Sequence, residues 1–160
     1  MLFRSKTDLN QAKDDTVKLL EKLESIGITK DNYRVAFSGS KGFNVEFEID
    51  KMINPNEFKA ITFELARDLK TFDTVVNDPN RVIRLINSKH QSSGLYKIPL
   101  LKSELQTKTV EEIKDLAKAP RETKSVKAMV QFTKVQKMAE EKKEKKEAVK
   151  EVIQIGRAHV

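Results

Sequence analysis

The 160-residue chain reads as an α+β domain followed by a long, charged C-terminal helix, and three observations carry that reading. Residues 33–37 and 43–49 alternate apolar and polar positions on either side of a glycine-rich turn, the pattern of a β-hairpin with one buried face. Apolar residues recur at helical spacing over 9–26 and again over 55–70. From Glu140 to Glu147 the chain is almost wholly Glu and Lys, which suits a helix leaving the core for solvent.

Asp8, with Gln11 three residues on, is a helix-capping pair. Leu9, Ala12, Leu19, Leu20, Leu23 and Ile26 form the core face of the first helix, and Gly27 closes it. The hairpin follows, with Phe43, Val45, Phe47 and Ile49 on the buried side of its second strand. Pro55 sits where proline favours a helix start. Phe58, Ile61, Phe63, Leu65, Ala66 and Leu69 are expected on the core face of that helix. Residues 72–76 read as a short strand and 77–80 as a turn, while 81–86 suits either helix or strand. Residues 95–100 read as a strand that Pro99 places at a sheet edge. Thr109-Val110-Glu111-Glu112 is a capping box opening a helix that Pro120 stops. A final helix is expected from Ser125 to about Ile153, with Val126, Met129, Val130 and Met138 as its apolar stripe.

Composition bounds the chemistry. Cysteine is absent, which excludes disulfides and thiolate metal sites. No apolar run approaches the roughly 18–20 residues of a membrane span, and no secretory signal is legible, so a cytoplasmic setting with no membrane partner is expected. The net charge of +7 favours polyanions. Residues 124–150 hold nine Lys against four Glu, however, so most of the excess lies outside the expected core.

Two segments concentrate residues suited to phosphate. In Phe37-Ser38-Gly39-Ser40-Lys41-Gly42-Phe43 two glycines flank a serine and a lysine. Glycine lets backbone N–H groups approach an anion closely, and the side chains add hydroxyl donors and a point charge. Alone, that turn also reads as an ordinary glycine-rich hairpin. The second segment places Arg84, Ser88, Lys89 and His90 within seven residues, ahead of the polar turn Gln91-Ser92-Ser93-Gly94. Guanidinium, ammonium, hydroxyl and imidazole together suit a triphosphate. Between the two segments, Phe72-Asp73 ends an apolar run with an acid; such a carboxylate is either a metal ligand or a simple cap.

In order and spacing these segments resemble the small catalytic subunit of archaeal and eukaryotic DNA primases, with its phage and plasmid relatives. That family carries a strand ending in Phe-Ser-Gly-x-(Arg/Lys)-Gly, a hydrophobic-Asp motif, and a stretch like Arg-Leu-Ile-Arg-x-x-x-Ser-x-His-x-x-(Ser/Thr)-Gly. The likeness runs over residues 9–121. It implies a primase-type catalytic fold, incomplete here, with an RRM-like sheet packed against helices over 6–121 and a basic helical tail over 122–153. It implies that Ser38, Ser40, Lys41 and Gly42 contact the phosphates of the incoming nucleotide, that Arg84, Ser88 and His90 bind the triphosphate, and that Asp73 is the catalytic, metal-holding carboxylate. The implied reaction is template-directed phosphodiester synthesis by a two-metal mechanism with Mg2+ or Mn2+ and no zinc. The implied partners are nucleoside triphosphates and a single-stranded DNA template, with a helicase or a primase large subunit. Whether the primer is RNA or DNA stays open. The source reads as phage or archaeal, with phage favoured, and the setting is then the host cytoplasm.

Departures from the family pattern shape the expectation. Asn44 stands where the family has histidine, so it can hydrogen-bond but carries no charge. The Asp73-to-Arg84 gap is a residue short, which leaves Asp78 as an alternative ligand. The family's upstream Asp-x-Asp strand, expected just before the first helix, has no counterpart; Asp14 and Asp15 are adjacent and diverge by about 100° on a helix. The codons CAG ATC GGA AGA GCA CAC GTC would encode 154–160, and CTC TTC CGA TCT would encode 2–5; both resemble one sequencing adapter read from opposite strands. Residues 1–5 and 154–160 are therefore expected to be adapter-derived, the chain to be a fragment, and the fragment to be inactive while its parent is an active primase or primase-polymerase. The rival readings are a non-catalytic nucleotide- or nucleic-acid-binding module and an interaction protein using its Lys/Glu helix.

Overall fold

A computed structural model describes residues 1–77, 82–122 and 129–158. Among these residues it is an α+β fold with one four-stranded antiparallel sheet and five α-helices. The strands are β1 (Leu2–Arg4), β2 (Tyr33–Phe37), β3 (Gly42–Phe47) and β4 (Ile98–Leu100), in spatial order β1-β3-β2-β4. The helices are α1 (Leu9–Ser25), α2 (Pro55–Ala66), α3 (Lys102–Thr107), α4 (Val110–Leu116) and α5 (Phe132–Ala158). No helix among the described residues is long and apolar enough to cross a membrane.

The hairpin forms as its alternation dictates. Val35 pairs with Val45 and Phe37 with Phe43 on one face, and β4 adds Leu100 and Ile98 beside them. Phe3 of β1 joins this layer opposite Phe43. These side chains are buried, with Phe3, Phe37, Phe43, Val45 and Ile98 fully enclosed. The amphipathic stripe of α1 covers them and packs in turn against α3 and α4. The opposite face carries Leu2, Arg4, Asn44, Glu46, Arg34 and Pro99, a polar surface. This two-faced sheet is what positions the site.

Helix ends follow the sequence signals. Asp8 accepts the Gln11 amide and Gly27 takes φ +84° past the end of α1. Asn54 caps α2 ahead of Pro55, and Thr109 and Glu112 complete a reciprocal capping box on α4. Other expectations change. Residues 72–76 are not a strand: Phe72 makes a single bridge to Phe3, and Thr74–Asn77 is a 3-10 turn. Phe58 and Phe63 do not face the core but are 39% and 45% exposed, because α2 turns Thr62, Leu65 and Ala66 inward instead. Residues 82–85 are neither helix nor strand. Val130 lies outside α5 and bridges Ile49, extending the chain alongside the end of the hairpin. α3 was not expected; with no side-chain cap at Leu101, it is closed by Glu104 accepting the Leu101 amide. Residues 2–4, outside the expected domain, form its edge strand, and 154–158 continue α5 in solvent. Asp78, the turn expected at 77–80 beyond its first residue, and the helix start expected at Ser125 lie outside the described residues.

Candidate functional site

The β2–β3 turn is wired by Ser38. Its amide donates to the Gly42 carbonyl (2.8 Å), and its hydroxyl oxygen accepts the Gly42 amide (3.1 Å) and the Ser40 amide (3.3 Å). Those two amides are thus committed to the turn, not free for an anion. Gly39 takes φ +82°, and a Cβ there would meet the Leu95 carbonyl oxygen at 3.0 Å. The turn therefore lies directly against the backbone of the second segment.

That second segment is built to meet it. His90 donates its amide to the Leu95 carbonyl and accepts the Gly94 amide, closing the 90–95 loop. The Ser93 hydroxyl donates to the Gly39 carbonyl (2.6 Å), and the Arg84 guanidinium donates through Nη2 to the Ser38 carbonyl. Upstream, Asn87 sits at φ +64° and its side-chain amide grips both backbone groups of Arg121. The buried Lys97 ammonium reaches Glu46 (3.1 Å) and the Arg84 carbonyl (2.9 Å), tying the segment to the polar sheet face.

Between the segments lies a cleft of about 380 Å³. Its lining includes Ser38, Ser40, Lys41, Gly42, Asn44, Arg84 and His90, together with Arg4 from β1. Seven of the eight expected nucleotide-binding residues thus meet in one place. The eighth, Ser88, faces an adjoining hollow beyond His90, and its hydroxyl donates to the Leu85 carbonyl. No Asp or Glu lines the cleft among the described residues. Arg84 Nη1 is buried with no hydrogen-bond partner. Burial pushes the Arg84 pKa down. Burial, then Arg84 and Lys41, likewise lower that of His90. A cleft that disfavours further positive charge is one that an anion relieves.

Asp73 lies beside Arg4, outside the cleft lining. It is 8% exposed, its Oδ1 accepts the Val75 amide (3.0 Å), and its Oδ2 stands 2.6 Å from Arg4 Nε in an ion pair but has no hydrogen-bond partner. Asp15 is also committed, accepting from Gln11 and from both the amide and hydroxyl of Thr71. Among the described residues no three of His, Asp and Glu stand together as a metal site. The described donors therefore do not fit a pair of divalent ions.

Sequence reasoning missed Arg4, Lys97 and Ser92 as cleft residues. Lys97 had a signal, being the one charge inside the apolar run 95–100. Arg4 had none, because only the register of β1 brings it beside Gly42. No known family profile, curated protein or solved structure matches this chain.

Proposed function

We propose that this chain is the triphosphate-holding part of a DNA primase or primase-polymerase, an enzyme that joins nucleotides along a single-stranded DNA template. One observation carries the reading: two segments over forty residues apart in sequence form the walls of one cleft lined by Lys41, Arg84 and His90 without a carboxylate among the described residues. Charge-assisted hydrogen bonds from such groups are the stronger kind and suit phosphate oxygens. In this reading Lys41 and Arg84 neutralise the triphosphate, His90 donates from Nε2, and Ser40 and Asn44 add neutral hydrogen bonds. Ser38 and Gly42 hold the turn in shape. Asp73 pairs with Arg4 outside the cleft lining and is given no step of nucleotidyl transfer.

Calorimetric titration with ATP, ADP and AMP tests the proposal. Affinity is expected to fall with each phosphate removed. Arg84→Ala is expected to weaken ATP binding about tenfold or more, the value of a lost charged hydrogen bond. No binding of ATP, or equal binding of ATP and AMP, overturns the reading. Primer synthesis by this chain on single-stranded DNA is expected to be absent, because no three acidic or histidine side chains gather among the described residues; measurable synthesis overturns that expectation.

A further inference from the structure

We infer that the outer half of α5 docks on an anionic lipid surface, with Val149, Val152 and Ile153 turned towards it and Lys145, Lys146 and Lys150 meeting the headgroups. This surface is separate from the cleft, and all six residues precede the stretch expected to be adapter-derived.

The helix has two unlike halves. Phe132, Val135, Met138 and Ala139 bury its inner half against the rest of the fold, including α2. From residue 143 to residue 158 every position is exposed. Successive residues of an α-helix turn by about 100°, which puts Val149, Val152 and Ile153 on the same face as Val135 and Met138. The stripe that seats the inner half thus runs on into solvent, where Val149, Val152 and Ile153 are 58%, 69% and 49% exposed.

Charge on this half is sorted by face. Lys145, Lys146 and Lys150 lie within about 100° of Val149 around the helix, whereas Glu140, Glu144, Glu147 and Glu151 lie within about 40° of the opposite direction. Glu141 is the exception, on one flank of the stripe. A charged helix stabilised by its own ion pairs sets Glu four residues before Lys. Here Glu140–Glu144, Glu147–Glu151, Lys142–Lys146 and Lys146–Lys150 are like-charge pairs at that spacing, against Glu141–Lys145 and Lys143–Glu147 of opposite sign. Like charges four apart weaken a helix, so helix stability does not account for the sorting. Lys142, inside the stripe, is neutralised by Asp68 just past α2. Lys145, Lys146 and Lys150 have no such partner among the described residues.

An anionic bilayer matches both halves of this pattern. The apolar stripe enters the boundary between headgroups and chains, and the lysine stems lie along it with their ammonium groups at the phosphates. The Glu face points to water across a helix about 10 Å wide, beyond the roughly 8 Å screening length at physiological salt. A nucleic acid would engage the lysines and leave the stripe without a role. A protein groove takes apolar anchors over two turns, whereas one turn before this stripe the same face carries Lys145 and Lys146. The expectation of no membrane partner rested on the lack of a spanning run, and docking along a surface needs none.

The test is co-sedimentation of the intact chain with vesicles of phosphatidylcholine alone and of an equal mixture with phosphatidylglycerol. Binding is expected to the mixture only, and to be released by high salt. Lys145→Gln/Lys146→Gln/Lys150→Gln is expected to weaken it about a hundredfold. Lys30→Gln/Lys59→Gln/Lys118→Gln removes the same charge from exposed positions on the body and is expected to bind as wild type. Val149→Ser/Ile153→Ser keeps every charge and is expected to weaken binding about tenfold. Should the serine pair lose helix content by circular dichroism, Val149→Ala/Ile153→Ala trims the same stripe. Equal loss in the two lysine triples would reduce the effect to net charge and overturn the inference. So would wild-type binding in the stripe variant, or equal binding to neutral vesicles. Two further results assign the face to another occupant and overturn it as well. One is weakened oligothymidylate binding in the α5 lysine triple with vesicle binding unchanged. The other is self-association in sedimentation velocity that the stripe variant abolishes.

Discussion

His90 accepts the Ser92 and Ser93 amides at Nδ1, each at 3.2 Å. Its neutral form must therefore carry the proton on Nε2, which makes it a donor without becoming a cation. Protonation would place a hydrogen on Nδ1 against two N–H groups and add charge beside Arg84 and Lys41. Burial and those two cations both lower the pKa from its ordinary 6.5. A bound triphosphate opposes the cations and raises it. The imidazole resonances are thus expected to titrate below 6.5 in the free chain and at higher pH with ATP present, as followed by NMR. A midpoint unmoved by ATP would remove His90 from the binding group. At this scale the sequence was a good guide to which residues gather. It was silent on how they are wired: the Ser38 oxygen accepts two backbone amides while its O–H stays able to donate. The ion-pair partner of Asp73, Arg4, gave no signal because it is distant in sequence.

Among the elements, β1 has the most exacting fit. A Cβ on Gly42 would stand 2.1 Å from the Phe3 carbonyl oxygen and 2.7 Å from Arg4 Cβ. Gly42→Ala must push β1 off β3, and with it Phe3 and Arg4. The expected cost is about 1–3 kcal/mol, the usual range for overpacking, with weaker ATP binding because Gly42 lines the cleft. Gly94→Ala is the control: its φ of +72° strains a side chain but nothing stands within 4 Å. It is expected to cost about 1 kcal/mol. Equal melting temperatures for Gly42→Ala and wild type would show that β1 is not held as described. The hairpin, α1 and α4 were legible because alternation, helical spacing and capping boxes are local signals. β1 was not, since three residues carry no period and Phe3 is buried only by partners far along the chain. α3 was missed because it lacks a side-chain N-cap. The exposed face of α2 was misread because Phe58 and Phe63 resemble core residues, whereas the buried positions are Thr62, Leu65 and Ala66.

For the whole molecule, helices α1 and α5 meet at one carboxylate just past the end of α2. Lys22 and Lys142 both bond Asp68, and Lys142 also donates to the Leu65 carbonyl. Burial, then the neighbouring Lys22, push the Lys142 pKa down to about 8. Burial brings the Met1 amino group down to about 6. A base whose pKa falls on folding binds fewer protons in the native state, so stability rises with pH between the folded and unfolded values. The two windows together run from about 6 to 10.5. Tyr33 acts oppositely above its ordinary 10.0, because burial and Glu24 raise it. At the acid end burial alone would raise Asp68, but Lys22 and Lys142 hold it at about 2, so its contribution fades as pH falls from 3.8 towards that value. Thermal melts are expected to show stability climbing from pH 6 to about pH 10, and Lys142→Met is expected to flatten the upper part of that climb. A melting temperature that declines steadily above pH 7 would contradict the sign. None of this was legible in the sequence, where Lys142 is one of many lysines in a charged run.

The sheet order also sets how the site comes into being. β2 and β3 are joined by a four-residue turn, while β1 and β4 reach them across long stretches of chain. Closing a short loop costs little entropy, and long closures slow assembly. The Ser38–Gly42 turn thus belongs to the earliest pairing available, and the opposite wall of the cleft arrives only with β4 and the 84–95 segment. Any anion that bridges the two walls joins the most local contact of the fold to one of its most distant, so it acts as a clasp on folding as well as a ligand.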